Sequence, residues 1–415
     1  MRRKAWGRKS ISIMLVILPL GLLPDMSWEV VAGQRLSLNA IPWEIQTEVT
    51  PRQQLASAKD AESLLREAHR LMANGQRAEA LSVAQDLVTQ YPHFQLGQLL
   101  FADLLNLVSD QPMDVLAALH DGKSDAKNRL QQLNDEARLR LNRPEAAVYA
   151  GKEPAGLAYL SNKVPFVIVV DAAHARLYVM GHATSAGAQD ADKGLQVLFE
   201  SYMSVGQRGI GKQQRGDGKT PLGAYVIQKS YPGHVLPDLY GSGALTLNYP
   251  NDLDMLDGKT GSGIWIHGSP SEQYARAPEA TDGCVVLSNP DMLALMKLQF
   301  PAGTPVFILP QIEWVEPQKN KHLRTRLWPV PQNQDASNTG EVLALMSWQG
   351  EGRNMMAVLS ATATPSPKQA RTMAAPSYWI EQGHQWKAIP VNLGERQLAE
   401  RSSPVTKFSA RTVVR

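Results

Sequence analysis

Cysteine is the scarcest residue, because the 415-residue chain contains only one, Cys284. A lone thiol excludes a disulfide framework within the chain and a zinc site made of several cysteines. The nine histidines are scattered, and none forms the His-x-x-x-His pair with which a helix binds zinc. We therefore expect no metal site.

Net charge is also nearly absent. The 42 Lys and Arg residues are matched by 39 Asp and Glu residues, for a formal net charge of +3. Residues 1–32 hold five of the bases and two of the acids, so 37 of each sign remain in the rest of the chain. A neutral remainder offers no electrostatic basis for nucleic-acid binding, and no nucleic-acid partner is expected.

Long apolar runs are missing as well. The apolar run at residues 11–23 has 13 residues, whereas a transmembrane helix needs ~20. Basic residues precede this run, which is typical of a signal peptide, and Val30-Val31-Ala32 predicts cleavage before Gly33. We interpret residues 1–32 as an export signal; an uncleaved anchor that contacts the membrane is the alternative.

The next part of the chain is predicted to be helical. Residues 33–58 show no periodicity and are interpreted as a linker, whereas apolar residues recur at helical spacing across residues 59–145. The spacing of four small or breaking residues resembles one tetratricopeptide unit: Ala68, Gly75, Ala80 and Pro92. Since stable arrays need about three units, a packing role as a helical cap is favoured. Binding of a protein partner through this segment is the alternative.

Residues 160–310 change to the pattern of a mostly-β domain. Apolar β-branched runs at residues 164–170 and 176–180 predict a β-hairpin. Further short strands are predicted at residues 196–205, 224–228, 245–248, 264–267, 285–287 and 305–309. The fold class is therefore α+β multidomain, with a helical N-terminal segment followed by a mostly-β domain.

The last hundred residues are predicted to add a small module. Strand-like patches occur at residues 342–348, 378–380 and 386–389, within a module of uncertain fold at residues 311–394. Residues 395–415 are polar and basic and are interpreted as a flexible tail.

Cys284 has the surroundings of a nucleophile. A free thiol of pKa ~8.5 is only slightly ionised at neutral pH, so a catalytic cysteine needs a neighbouring base. His267 ends the predicted strand at residues 263–267, and Cys284 begins the next one, which is entered through Gly283. The backbone N–H groups of Gly283 and Cys284 are expected to form an oxyanion hole.

These residues resemble the YkuD-type L,D-transpeptidase family. The resemblance rests on His267-Gly268 and, after a loop, Thr281-Asp282-Gly283-Cys284, supported by Gly218-Lys219-Thr220-Pro221-Leu222-Gly223 and Asn248-Tyr249-Pro250-Asn251. It covers residues 160–310. One position departs from the family pattern, because Asp282 replaces a histidine. An ionised carboxylate only accepts hydrogen bonds, so we expect Asp282 to turn outward or to accept a backbone N–H.

The resemblance implies a reaction on peptidoglycan in the periplasm. Cys284 would attack the diamino-acid carbonyl of a tetrapeptide stem, with His267 as general base and acid, to give a thioester. The acceptor would be an amine from another stem, a D-amino acid or a murein-linked protein lysine, or else water. The carbonyl of Gly268 would orient His267, with Thr281 supporting the turn. No metal or organic cofactor is needed.

Several residues around the pair are candidates for binding the stem peptide. Arg215 and Lys219, in a glycine-rich stretch, are candidates for binding its carboxylates, although a flexible surface loop is the alternative. The remaining candidates for the donor cleft are Arg276, Tyr240, Tyr249 and Trp265.

The sequence leaves two other functions open. The first is an L,D-carboxypeptidase or amidase, which would hydrolyse the same thioester. The second is a non-catalytic murein-binding scaffold, and the presence of both Cys284 and His267 counts against it.

Overall fold

A computed structural model describes residues 60–108, 124–182, 194–329, 340–361 and 376–390. The predicted export signal (1–32), linker (33–58) and tail (395–415) lie outside these ranges and stay predictions. Within the described ranges, no helix is both long enough and apolar enough to span a bilayer.

Helices form the N-terminal part of the described chain, as predicted. The helices of the described ranges are α1 (Ala61–Ala73), α2 (Arg77–Gln90), α3 (Gln95–Val108), α4 (Ser124–Leu141), α5 (Ala146–Tyr149), α6 (Asp252–Leu256), α7 (Asn289–Met296) and α8 (Pro317–Leu327). Asp60 caps α1 by accepting the Ser63 N–H at 2.7 Å. Gly75, with φ of 78°, separates α1 from α2, and Ala68, Ala80 and Leu104 are buried where the helices meet.

Most of the remaining chain is β-structure. The strands of the described ranges are β1 (Glu153–Pro154), β2 (Leu157–Leu160), β3 (Val167–Asp171), β4 (Arg176–His182), β5 (Leu195–Gly206), β6 (Gly223–Pro232), β7 (Gly243–Leu247), β8 (Trp265–Gly268), β9 (Glu279–Thr281), β10 (Val285–Leu287), β11 (Pro305–Leu309), β12 (Trp314–Val315), β13 (Val342–Gly350), β14 (Arg353–Ser360), β15 (Ser377–Gln382) and β16 (Gln385–Ala388). The mostly-β domain and the helices before it confirm the predicted α+β class.

Nine strands make the main sheet, in the order β10-β8-β7-β6-β11-β3-β4-β5-β9. Because β5 also pairs with β10, the sheet closes on itself like a barrel. Both faces are covered: Val167 and Val169 of β3 lie in one apolar core, and Ile168 and Val170 lie in the other. Burial on both faces explains why residues 164–170, which include most of β3, are apolar at almost every position and do not alternate with polar residues.

The C-terminal module shares its sheet with the beginning of the β-domain. This second sheet has the order β16-β15-β14-β13-β2, and β2 brings Leu160 opposite Ala344. Strand β14, which the sequence pattern did not predict, forms a hairpin with β13. The Tyr378 hydroxyl donates to the Ala224 carbonyl at 3.0 Å. The module is therefore packed directly on the main sheet.

A buried ion network joins the helices to the main sheet. Glu62 of α1 binds Arg176 of β4 at 2.8 Å and Arg140 of α4 at 3.0 Å. Burial alone would raise the pKa of Glu62, but attraction by Arg176 and Arg140 outweighs it and lowers the pKa from 4.5 to about 2. The negative charge of Glu62 thus holds two buried guanidinium groups in place.

Replacing Glu62 with glutamine is expected to destabilise the protein by ~3–5 kcal/mol at pH 7, because it leaves buried arginines without their partner. The contribution of the carboxylate is complete above pH 4.5 and is lost as the pH falls toward 2, since folding lowers its pKa. Urea unfolding at pH 7 and pH 3 measures both effects. The loss of stability between these pH values should be smaller in Glu62→Gln than in the native chain.

Glu67→Gln is the matched control, because Glu67 lies on the same helix and pairs with Arg70 at the surface. Exposed pairs contribute little to stability. An equal loss in the two variants would contradict a special role for Glu62.

Candidate active site

His267 and Cys284 lie on or next to two neighbouring parallel strands, β8 and β10. Strand β8 pairs with β10 so that His267 lies opposite Val286, and Cys284 directly precedes β10. Side chains alternate along a strand, so Cys284, two residues before Val286, is on the same face as His267. The ring of Tyr240 lies 5.1 Å from the His267 ring and 4.6 Å from that of Trp265. The pair and two aromatic side chains thus form one site.

His267 is held in one tautomer. Its Nδ1 lies 2.7 Å from the carbonyl oxygen of Gly268, which only accepts, so Nδ1 carries the proton and Nε2 keeps its lone pair. The imidazole is buried, and burial lowers the pKa of His267 to about 4, with Gly268 opposing this effect and Arg276 adding to it. The Gly268 carbonyl that the resemblance implied is therefore present, and His267 is a neutral base.

Cys284 is a protonated thiol at rest. Burial raises the pKa of Cys284 to about 11; the backbone amide of Trp265 opposes this rise and Asp282 adds to it. The sulfur lies 3.5 Å from the Gly263 carbonyl oxygen. Between the described side chains of His267 and Cys284 the structure has no hydrogen bond, as is common before substrate binds. Proton transfer must therefore accompany attack by the sulfur.

The turn before Cys284 is closed by Thr281. Its hydroxyl accepts the Gly283 N–H at 3.0 Å and donates to the Cys284 carbonyl at 2.7 Å. The amide of Gly283 is thus occupied, and its predicted role as an oxyanion donor is corrected to a role in the turn. The predicted support from Thr281 is visible in these two bonds.

Thr220, in the Gly218–Gly223 motif, supports the turn, although it was not among the predicted site residues. It is fully buried, and its hydroxyl accepts the Gly206 N–H at 2.9 Å and donates to the Gly283 carbonyl at 2.9 Å. The Cys284 turn is therefore held from two sides, by Thr281 within it and by Thr220 from the segment that precedes β6. The Gly-Lys-Thr-Pro segment was the sequence signal for this contact.

Asp282 turns outward, as expected for a carboxylate in this position. It is exposed, and its Oδ1 accepts a hydrogen bond from Gln207 Nε2 at 3.2 Å. The partner is a side chain and not the backbone N–H of the turn.

The aromatic candidates divide between site and core. Trp265 and Tyr240 flank His267, with Tyr240 half-buried at the surface of the site. Tyr249 is buried in the core beneath, where its hydroxyl donates to the Thr260 carbonyl at 3.1 Å. Tyr249 is therefore a packing residue, and its proposed contact with substrate is corrected.

The basic candidates differ in their burial and in their electrostatic effect on the pair. The charge of Arg276 lowers the pKa of both His267 and Cys284, and its guanidinium donates to the Ala280 carbonyl at 3.4 Å. Arg215 is exposed on the loop, whereas Lys219 is half-buried. Lys212, which was not among the candidates, is buried in an ion pair with Asp217 at 2.7 Å and also favours the thiolate of Cys284.

The family comparison covers this site. Residues 165–308 match the family model of the YkuD L,D-transpeptidase catalytic domain. The matched stretch contains His267, Cys284 and the turn between Thr281 and Cys284. The chain therefore carries a YkuD-type L,D-transpeptidase catalytic domain, as its resemblance indicated.

Solved structures give a more distant comparison. Bd1075 of Bdellovibrio bacteriovorus is 21% identical over 57% of this chain and 96% of that chain, with a TM-score of 0.41. The helical cell shape determining protein Pgp2 of Campylobacter jejuni is 19% identical over 54% and 90%, with a TM-score of 0.38. An L,D-transpeptidase of Mycobacterium smegmatis is 18% identical over 35% and 58%, with a TM-score of 0.21. No curated protein matches the chain. At these TM-scores the family assignment rests on the family model.

Proposed function

We propose that the protein is a cysteine-dependent L,D-transpeptidase of peptidoglycan. Cys284 forms a thioester with the diamino-acid carbonyl of a tetrapeptide stem, and an amine acceptor then takes the acyl group. The observation that supports this most strongly is the placement of a neutral His267, oriented by the Gly268 carbonyl, on the same face as Cys284.

The half-reactions follow from the protonation states at rest. As the sulfur attacks the carbonyl carbon, Nε2 of His267 takes the thiol proton; the C–N bond then breaks and the same proton passes to the departing D-alanine nitrogen. In the second half, the acceptor amine attacks the thioester and gives its proton to Nε2. The C–S bond breaks, and the thiolate regains the proton from His267.

The charges around the pair suit an anionic peptide. Arg276 places a positive charge near both Cys284 and His267, and the carboxylates of a stem peptide are its natural partners. Tyr240 and Trp265 cover the His267 side of the site. We assign to these three residues the recognition of the donor stem.

The substrate also determines the location that we propose. Peptidoglycan lies outside the inner membrane, and the predicted export signal at residues 1–32 is consistent with a periplasmic enzyme.

Mass spectrometry of reactions with disaccharide tetrapeptides tests the proposal. The mature chain is incubated with and without a D-amino acid, next to Cys284→Ala as the blank. Cross-linked dimers or exchange of the terminal D-alanine would support transpeptidation. Tripeptide alone would contradict it and identify an L,D-carboxypeptidase. A lack of any product would contradict both activities.

A further inference from the structure

The loop that joins His267 to Cys284 is packed into the helical segment. Tyr274, in the middle of this loop, places its ring 4.8 Å from that of Phe94 and 5.3 Å from that of Tyr91. Its backbone N–H donates to the His93 carbonyl at 3.2 Å. Tyr274 thus packs against the apolar core of the helices, which includes Leu64 and Leu87.

A second connection reaches the same loop beside Tyr274. Tyr202 of β5 donates its hydroxyl hydrogen to the Arg276 carbonyl at 3.0 Å. The guanidinium of Arg140, on α4, lies over the Tyr202 ring at 3.7 Å. Arg140 is in turn fixed by its buried ion pairs with Glu62 and Glu136. Helices α1 and α4 therefore act on the backbone of Arg276, whose charge acts on both reacting groups.

The two ends of the loop are tied down separately. On the His267 side, the Ser269 hydroxyl lies 2.7 Å from the Gln273 carbonyl and 3.1 Å from the Tyr274 carbonyl. On the Cys284 side, Ser288 caps α7 directly after β10 by accepting the Asp291 N–H at 3.2 Å. Tyr274 is thus the point where the helical core meets the His267 end of the loop.

We infer that Tyr274 is a positioning residue for the acyl transfer and that the helical segment is part of the catalytic unit. The inference rests on the proposed role of Cys284 as nucleophile. Because the Tyr274 ring packs against Tyr91 and Phe94, the loop is anchored to the helices, and this anchor would restrict the relative movement of His267 and Cys284. Misplacement of reacting groups by about 1 Å lowers rates by ~10²-fold. The aromatic face at Tyr91 and Phe94 is used inside the chain, which argues against the alternative that it binds a protein partner.

Replacing Tyr274 with alanine in the full-length chain tests this. We expect kcat for acyl transfer to fall by ~10²-fold with little change in KM. Alkylation of Cys284 by iodoacetamide should reach its half-maximal rate at a higher pH, because His267 would no longer be placed to take the thiol proton during attack. Tyr274→Phe keeps the ring and should stay within a few-fold of the native chain.

The helical side of the contact gives an independent variant. Phe94→Ala should reproduce the Tyr274→Ala changes, and the double variant should be no worse than either single one, since both remove one contact. Leu104→Ala is the matched control: Leu104 is fully buried in the helical core but belongs to the cluster that does not include Tyr274. It should lower stability and leave kcat unchanged.

The outcomes separate this inference from the proposed function. The inference would be overturned if Tyr274→Ala had the native kcat and the native pH profile of Cys284 alkylation. It would also be overturned if Leu104→Ala lost as much kcat as Tyr274→Ala. If Tyr274→Ala does not fold, Phe94→Ala decides by the same two measurements. If the native chain turns over no stem peptide, the proposed function fails, and the alkylation profiles still decide whether the helices position Cys284.

Discussion

Replacing His267 with asparagine is expected to slow acylation of Cys284 at neutral pH by ~10²–10⁴-fold. Asparagine retains a polar side chain that can still meet the Gly268 carbonyl but cannot accept the thiol proton. The pKa of Cys284 is raised to about 11, so at pH 7 a thiol without a base is ionised in only ~10⁻⁴ of molecules. The size of the loss follows from that fraction.

The pH dependence of the acylation rate should differ between the native enzyme and His267→Asn. His267 has a pKa of about 4, so in the native enzyme the imidazole is an unprotonated base throughout the neutral range. Its acylation rate should therefore be flat above pH ~5 and fall as the pH drops through about 4. In His267→Asn only the thiolate reacts. Its rate should rise about tenfold per pH unit up to the pKa of Cys284, near 11.

Acylation by a carbapenem, followed by intact-mass spectrometry at pH values from about 3 to about 10, measures both profiles, because the native rate should fall near the pKa of His267, about 4. Cys284→Ala shows the background, because it has no nucleophile. His384→Asn is the matched control: His384 is exposed at a hairpin with φ of 65°, a conformation that asparagine adopts readily. A flat profile in His267→Asn, with a native rate, would show that another group takes the proton.

The parts of this site that could be predicted depend on residues close together in the chain. His267 and Gly268 end one strand, and Cys284 directly precedes the neighbouring strand, so the local pattern predicts which side chains share a face. The orientation of His267 by the next residue's carbonyl is local too, and the structure has it at 2.7 Å. The outward turn of Asp282 follows from the chemistry of a carboxylate beside a thiol.

The parts that could not be predicted depend on residues far apart in the chain. Thr220 and Gly283 are 63 positions apart, and β2 joins the C-terminal sheet across the whole catalytic domain. Apolar or polar periodicity shows that a strand is buried, but not which strand it pairs with. Tyr249 was wrongly assigned to the donor cleft for the same reason. The sequence near the motif does not distinguish an aromatic residue that lines a cleft from one that packs in the core.

Gly283→Ala is expected to reduce both stability and acylation strongly. Gly283 has φ of 126°, and a Cβ there would lie 2.6 Å from the Lys219 carbonyl oxygen. The strained backbone and the steric overlap together are expected to destabilise the protein by ~2–5 kcal/mol. The overlap is with backbone, so no side chain can swing away, and the turn itself must move.

That movement acts on the nucleophile. Displacing Gly283 breaks its bonds with Thr220 and Thr281, and Cys284 moves with it. We expect carbapenem acylation to fall by ~10²-fold even where the variant is folded, because the sulfur no longer faces His267 at the required distance. Urea unfolding and intact-mass acylation at 10 °C measure the two losses separately.

Gly258→Ala isolates the steric part of the effect. Gly258 also has a positive φ, 70°, but a Cβ there has no neighbour within 4 Å. Its loss should be limited to the ~1–2 kcal/mol of the left-handed conformation, with native acylation. Equal acylation in the two variants would mean that the Cys284 turn tolerates displacement, and the two threonine hydroxyls would then serve stability and not catalysis. If acylation falls only in Gly283→Ala, the bonds from Thr220 and Thr281 to Gly283 fix the position of the Cys284 sulfur.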